Sequence, residues 1–158
     1  MNFEKLFETQ KQLDEKIYEN RKINNLTEKK QLALNVELGE LANELPEIFK
    51  YWSNKKNNYK KALEEYVDCL HFILSIGIDL NEHLNARKYE LLLQENKYYT
   101  NADIRMLILK LQSFGYGYLT VLNDFLKLGK AIGFTYSQIE YAYYKKNKVN
   151  HQRQENGY

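Results

Sequence analysis

Glu37 and Glu40 stand three residues apart, Glu44 extends their row four residues on, and Glu65 with Asp68 repeats the three-residue spacing. On a helix such positions share a face, so each of two segments presents carboxylates side by side. Residues 31–49 and 62–86 contain these acids and no Lys or Arg. Like charges so placed destabilise a helix by roughly 0.2–0.5 kcal/mol per pair in water, and by more as water is excluded. A wet helix face is the plain explanation for any single pair. The neighbours argue against it here: Leu38 and Leu41 interleave with Glu37 and Glu40, and Glu65 and Asp68 directly precede the most apolar stretch, LHFILSIGI. Four carboxylates from two helices in apolar surroundings are best neutralised by hard divalent cations with oxygen ligands, and Mg²⁺ suits carboxylates combined with phosphate oxygens. The chemistry expected is therefore on phosphates.

A di-iron bundle would use the same acids but needs Glu-x-x-His pairs, and no Glu in this chain is followed three residues later by His. His71 follows Asp68 by three. It reads as a satisfied interior histidine or a residue behind the ligands. Opposite charge gathers near the C-terminus, where Lys145, Lys146, Lys148 and Arg153 interleave with Asn147, Asn150, Gln152 and Gln154. A solvated tail is one reading. The other is a polyphosphate grip, because Lys146, Asn150 and Arg153 fall on one helical face and an Arg fork beside a Lys point charge suits phosphate oxygens. Trp52, in FKYWSNKK, either packs in the core or stacks on a base. The single cysteine, Cys69, has no partner for a disulfide and reads as core packing.

These residues need helices to hold them. Phe3 to Asn20 and Glu28 to Leu45 follow helical spacing, the second with Thr27 as N-cap and Pro46 as terminator. Tyr59 to Leu80 is a third, central helix with an apolar second half. A short helix is expected near Tyr89 to Leu93, and a long one over Asp103 to Lys130 with Gly115 and Gly117 marking a kink or close approach. Thr135 and Gln138 form a capping box for a last helix. No stretch alternates like a strand, so the fold class is all-α, a helical bundle with the four-carboxylate site between two central helices.

With 158 residues, 44% hydrophobic and 28% charged, the chain fits one folded domain, 1–158. A net charge of +2 is too small to suggest nucleic acid. No apolar run approaches the ~18 residues of a membrane span, and no export signal is visible, so the expected location is the cytoplasm.

The run ELGELANE, then a Lys-Tyr-Trp element, then EEYVDCLHFILS resembles the ExxE and ExxD metal motifs of the all-α NTP pyrophosphatase superfamily. The ending KNKVNHQRQENGY resembles the KN-x-x-N-x-x-RQ-x-x-GY motif of the dimeric dUTPases, in the short form found in some Gram-positive bacteria and their phages. The resemblance runs from residue 37 to 158 and leaves 81–101 unmatched. It implies that Glu37, Glu40, Glu65 and Asp68 ligate two or more Mg²⁺ ions, with Glu37 or Glu40 orienting or deprotonating the attacking water. It implies further that Lys146 and Arg153 contact phosphates, that Asn150 helps hold the nucleotide, and that Trp52, Gln10 and Asp14 line a uracil pocket. The expected enzyme is a homodimer that hydrolyses dUTP, and dUDP as well, to dUMP. Longer members carry a basic extension after the GY, so the resemblance implies that part of the phosphate grip is either missing here or supplied otherwise. The alternatives are a MazG-like or dCTP pyrophosphatase, differing only in base choice, and a non-catalytic helical interaction module.

Overall fold

A computed structural model describes residues 1–21, 26–94, 98–113 and 117–157. Its helices are α1 (Phe3–Arg21), α2 (Thr27–Glu44), α3 (Tyr59–Asp79), α4 (Ala86–Tyr89), α5 (Asn101–Ser113), α6 (Tyr118–Ile132) and α7 (Tyr136–Glu155). Among the described residues there is no strand.

The α2/α3 pair is the most extensive contact in the fold, and α1 and α7 pack on α3 and on each other. Leu34, Leu38 and Leu41 on α2 and Leu70, Ile73 and Leu74 on α3 are wholly buried. The two helices run antiparallel, because Lys30 early in α2 bonds Asp79 at the end of α3 while Glu37 meets Asp68 near its middle. Tyr66 of α3 stacks on Phe125 of α6 with centroids 4.1 Å apart, and its hydroxyl donates to the Phe125 carbonyl at 2.9 Å. This close packing requires glycine at 129, where a Cβ would lie 2.5 Å from the Tyr66 hydroxyl oxygen.

Several boundaries differ from the expectations. Thr27 is the first residue of α2, not its cap; Leu26 precedes it without a side-chain cap, and the Thr27 hydroxyl donates to Asp79 instead. The expected helix over 103–130 is two helices, α5 and α6, packed on each other, with Gly117 at the start of α6; Gly115 lies outside the described residues. The region after α3 is α4 flanked by short 3₁₀ turns at Glu82–Asn85 and Glu90–Gln94, anchored by buried Tyr89 against Phe3 and Phe7. The capping box is present: Thr135 and Gln138 bond each other's backbone N–H at 2.9 and 3.2 Å. No helix among the described residues is long and apolar enough to cross a membrane.

Candidate active site

Four helices enclose a cavity of about 630 Å³. From α3 come Asp68, His71, Phe72 and Ser75; from α2, Lys30, Ala33 and Glu37; from α1, Gln10, Leu13, Asp14 and Ile17; from α7, Lys146, Asn150 and Arg153. Successive helical turns set the order along the cavity, so Asp68 and Ser75 stand about 10 Å apart along α3. The Asp68 end holds the clustered acids and Lys146; the Ser75 end combines apolar walls with Gln10, His71 and the Asp14–Lys30–Asp79 ion pairs.

At the charged end, Glu37, Glu65 and Asp68 each place a carboxylate oxygen within 4.8 Å of the others. Oxygens on opposite sides of a hard cation lie about 4–5 Å apart, so this donor set fits a divalent ion. Glu40 is exposed at the rim, yet its charge reaches the cluster. Burial, then repulsion from Asp68, Glu40 and Glu65, raises the Glu37 pKa from its ordinary 4.5 to about 7. Burial followed by Asp68 and Glu40 also raises Glu65. Asp68 is raised by burial, against the opposing pull of Lys146 and Arg153. Lys146 Nζ lies 2.5 Å from Asp68 Oδ2, so the α7 cation bonds one of the acids. Burial leads all three shifts, and repulsion among the acids adds to it at Glu37 and Glu65, so the cluster resists carrying its full negative charge.

The basic C-terminal run is not a tail. It forms the second half of α7, held inward by buried Tyr143 and Asn147 and outward by a Lys16–Glu155 ion pair of 2.7 Å. Lys146, Asn150 and Arg153 share the face that lines the cavity.

At the far end, Asp14 accepts from Ser75 Oγ at 2.6 Å and from Gln10 Nε2 at 2.8 Å. Lys30 Nζ bonds both Asp79 oxygens at 2.7 Å and lies 3.9 Å from Asp14. Burial opposes the Lys30 charge, but the bonds to Asp79 and Tyr18 outweigh it and hold its pKa above the ordinary value. His71 Nδ1 is 2.7 Å from Gln10 Oε1 and its ring stacks on Tyr143, whereas its Nε2 is buried with no partner. Burial first, then Lys146 and His151, depresses the His71 pKa to about 3, so the imidazole is neutral.

The structure thus brings Gln10, Asp14, Glu37, Asp68, Lys146, Asn150 and Arg153 to one cavity, with Glu65 and Glu40 beside it. It does not bring Trp52 there. Trp52 is two-thirds exposed, so core packing is excluded, and its ring sits edge-on to Tyr51 at 4.9 Å. A larger cavity of about 840 Å³ beside that loop is lined by residues between Glu47 and Lys56 and by Arg105, and holds none of the clustered acids. Sequence reasoning missed Lys30, Ser75 and the unpartnered face of His71. Lys30 carried a signal: it lies in the buried row of Leu34, Leu38 and Leu41, where a lysine needs a buried partner.

A family match, not the geometry alone, gives the class of this helical protein, a hydrolase of phosphoanhydride bonds. A family model described as dUTPase matches residues 2–158, and the chain belongs to that family. Its activity is that of a dUTP diphosphatase. No curated protein sequence matches the chain.

Proposed function

We propose that the cavity is where dUTP is hydrolysed to dUMP and pyrophosphate, with triphosphate at the Asp68 end and uracil at the Ser75 end. The observation that carries this reading is the continuity of the two ends across about 630 Å³, enough for one nucleotide. Glu37, Glu40, Glu65 and Asp68 would hold two or more Mg²⁺ ions, which supply Lewis acidity and offset the triphosphate charge. Lys146 and Arg153 grip phosphate oxygens from α7, Lys146 leaving Asp68 as the acids acquire other cations. Glu37 or Glu40 orients or deprotonates the attacking water. A raised Glu37 pKa near 7 supports the proton-accepting role at that position. Asn150 lies between Lys146 and Arg153 on the α7 face that lines the cavity, where it would help hold the nucleotide, and dUDP fits the same site.

Leu13, Ile17, Ala33 and Phe72 give the uracil ring apolar walls, and Gln10, Asp14 and His71 supply polarity behind it. Trp52 reaches the nucleotide only through movement of its loop or from a second subunit. A homodimer is supported by exposed apolar residues on the neighbouring helices α2 and α5, namely Leu32, Val36, Met106 and Leu109. The enzyme is read as one domain acting in the cytoplasm. The test is pyrophosphate release from dUTP, dCTP, dTTP and dGTP with Mg²⁺. Preference for dUTP supports the base assignment, and preference for dCTP would establish the rival pyrophosphatase in its place.

A further inference from the structure

The hydrogen bonds behind the base end have a direction, and one residue sets it. Burial pushes the Asp14 carboxyl pKa up, while hydrogen bonds from Ser75 and Gln10 and the Lys30 ammonium 3.9 Å away oppose that push and favour the carboxylate, which offers only acceptors. Its Oδ2 takes the Ser75 hydroxyl at 2.6 Å and its Oδ1 takes Gln10 Nε2 at 2.8 Å. The Gln10 carbonyl oxygen therefore points the other way, where it accepts from the Tyr143 hydroxyl at 3.0 Å and meets His71 Nδ1 at 2.7 Å. A carbonyl cannot donate, so Nδ1 carries the hydrogen. In a neutral imidazole the other nitrogen is then a bare acceptor. That atom, His71 Nε2, is buried without a protein partner in a side chain that lines the cavity.

We propose that Asp14, acting through Gln10, fixes the tautomer of His71 so that Nε2 accepts a hydrogen bond from the N3–H of uracil and repels the N3 lone pair of cytosine. His71 is then the specificity-determining residue, and Asp14 and Gln10 are positioning residues that need not touch the base. The inference rests on the reading that the base occupies the Ser75 end of the cavity. The reverse arrangement is chemically available. A turned Gln10 amide would donate to His71 Nδ1 and to Tyr143, whose hydroxyl can donate instead to the Leu6 carbonyl, 3.3 Å away. His71 would then carry its hydrogen on Nε2 and favour cytosine. Only the acceptor-only carboxylate of Asp14 forbids that turn, so Asp14→Asn, which keeps the shape and adds a donor, removes the constraint. A site built around one hydrogen bond loses discrimination steeply when the bond is lost.

The test combines long-range ¹H–¹⁵N correlation spectra of His71 with steady-state turnover, using dUMP as the binding probe. In the wild-type protein His71 should carry its hydrogen on Nδ1, and dUMP should shift the Nε2 resonance. Asp14→Asn should populate the Nε2–H form, and its kcat/KM ratio for dUTP over dCTP should fall at least about tenfold. Gln10→Met, which removes the acceptor behind Nδ1, should move the tautomer the same way and guards against poor folding of Asp14→Asn. Wild-type His71 protonated on Nε2 overturns the proposal, as do variants whose tautomer or substrate ratio is unchanged while dUMP still shifts His71. If dUMP leaves His71 unmoved in protein that turns over dUTP, the placement of the base falls too, and the proposal with it.

Discussion

Replacing Glu37 by Gln should make the metal-free protein more stable at alkaline pH while impairing it as an enzyme. Glu37 is held at a pKa of about 7, against an ordinary 4.5, by burial and by its acidic neighbours. Between those values the folded chain keeps a proton that the unfolded chain has released, so stability falls as pH rises through the window. At about 1.4 kcal/mol per pH unit the full displacement would be about 3.5 kcal/mol. The side chain is only partly buried, and solvent screening reduces this to about 1–2 kcal/mol. Gln keeps the shape and removes the titration. In chelator at pH 8 the variant should therefore melt about 2–8 °C above wild type, and near pH 4.5 the two should converge. Added Mg²⁺ should then stabilise the wild type and have little effect on the variant. Thermal melts followed by circular dichroism at both pH values, with and without Mg²⁺, make the comparison. A variant less stable than wild type at pH 8 without metal, or one stabilised equally by Mg²⁺, would refute the strained acidic cluster.

Asp68→Asn should lose at least about a hundredfold in kcat on dUTP while its helical dichroism persists, since it removes one acid of the cluster and the partner of Lys146. Arg153→Lys should lower kcat/KM about tenfold or more without lowering the melting temperature appreciably, because a point charge cannot reproduce a bidentate fork. Gly129→Ala should cost about 1–3 kcal/mol in urea unfolding, because the new methyl would lie 2.5 Å from the Tyr66 hydroxyl oxygen between packed helices.

The sequence carried the local patterns and lost the long-range ones. Helical spacing placed Glu37 beside Glu40 and Glu65 beside Asp68, and the purely acidic segments pointed to their meeting. The antiparallel register of α2 and α3 was not legible, because it is set by packing of Leu34, Leu38 and Leu41 against α3. That register puts Lys30 opposite Asp79 and creates the polar floor of the cavity. The capping box at Thr135 and Gln138 was readable because all its parts lie within four residues. Thr27 misled as a cap because its hydroxyl has a distant competitor in Asp79, and local propensity cannot see such a partner. The apolar run over 103–130 concealed two helices, since periodicity continues through a break when both pieces bury one face. His71 resembled a satisfied interior residue from its neighbours alone. Only the distance to Gln10 shows which nitrogen is occupied and which is left over.

The claim that one cavity joins a metal-dependent phosphate end to a base end is tested by isothermal titration of a non-hydrolysable dUTP analogue. The account predicts binding by the wild-type protein that requires Mg²⁺ and is lost in Asp68→Asn. Equal binding without Mg²⁺, or undiminished binding by Asp68→Asn, would contradict it.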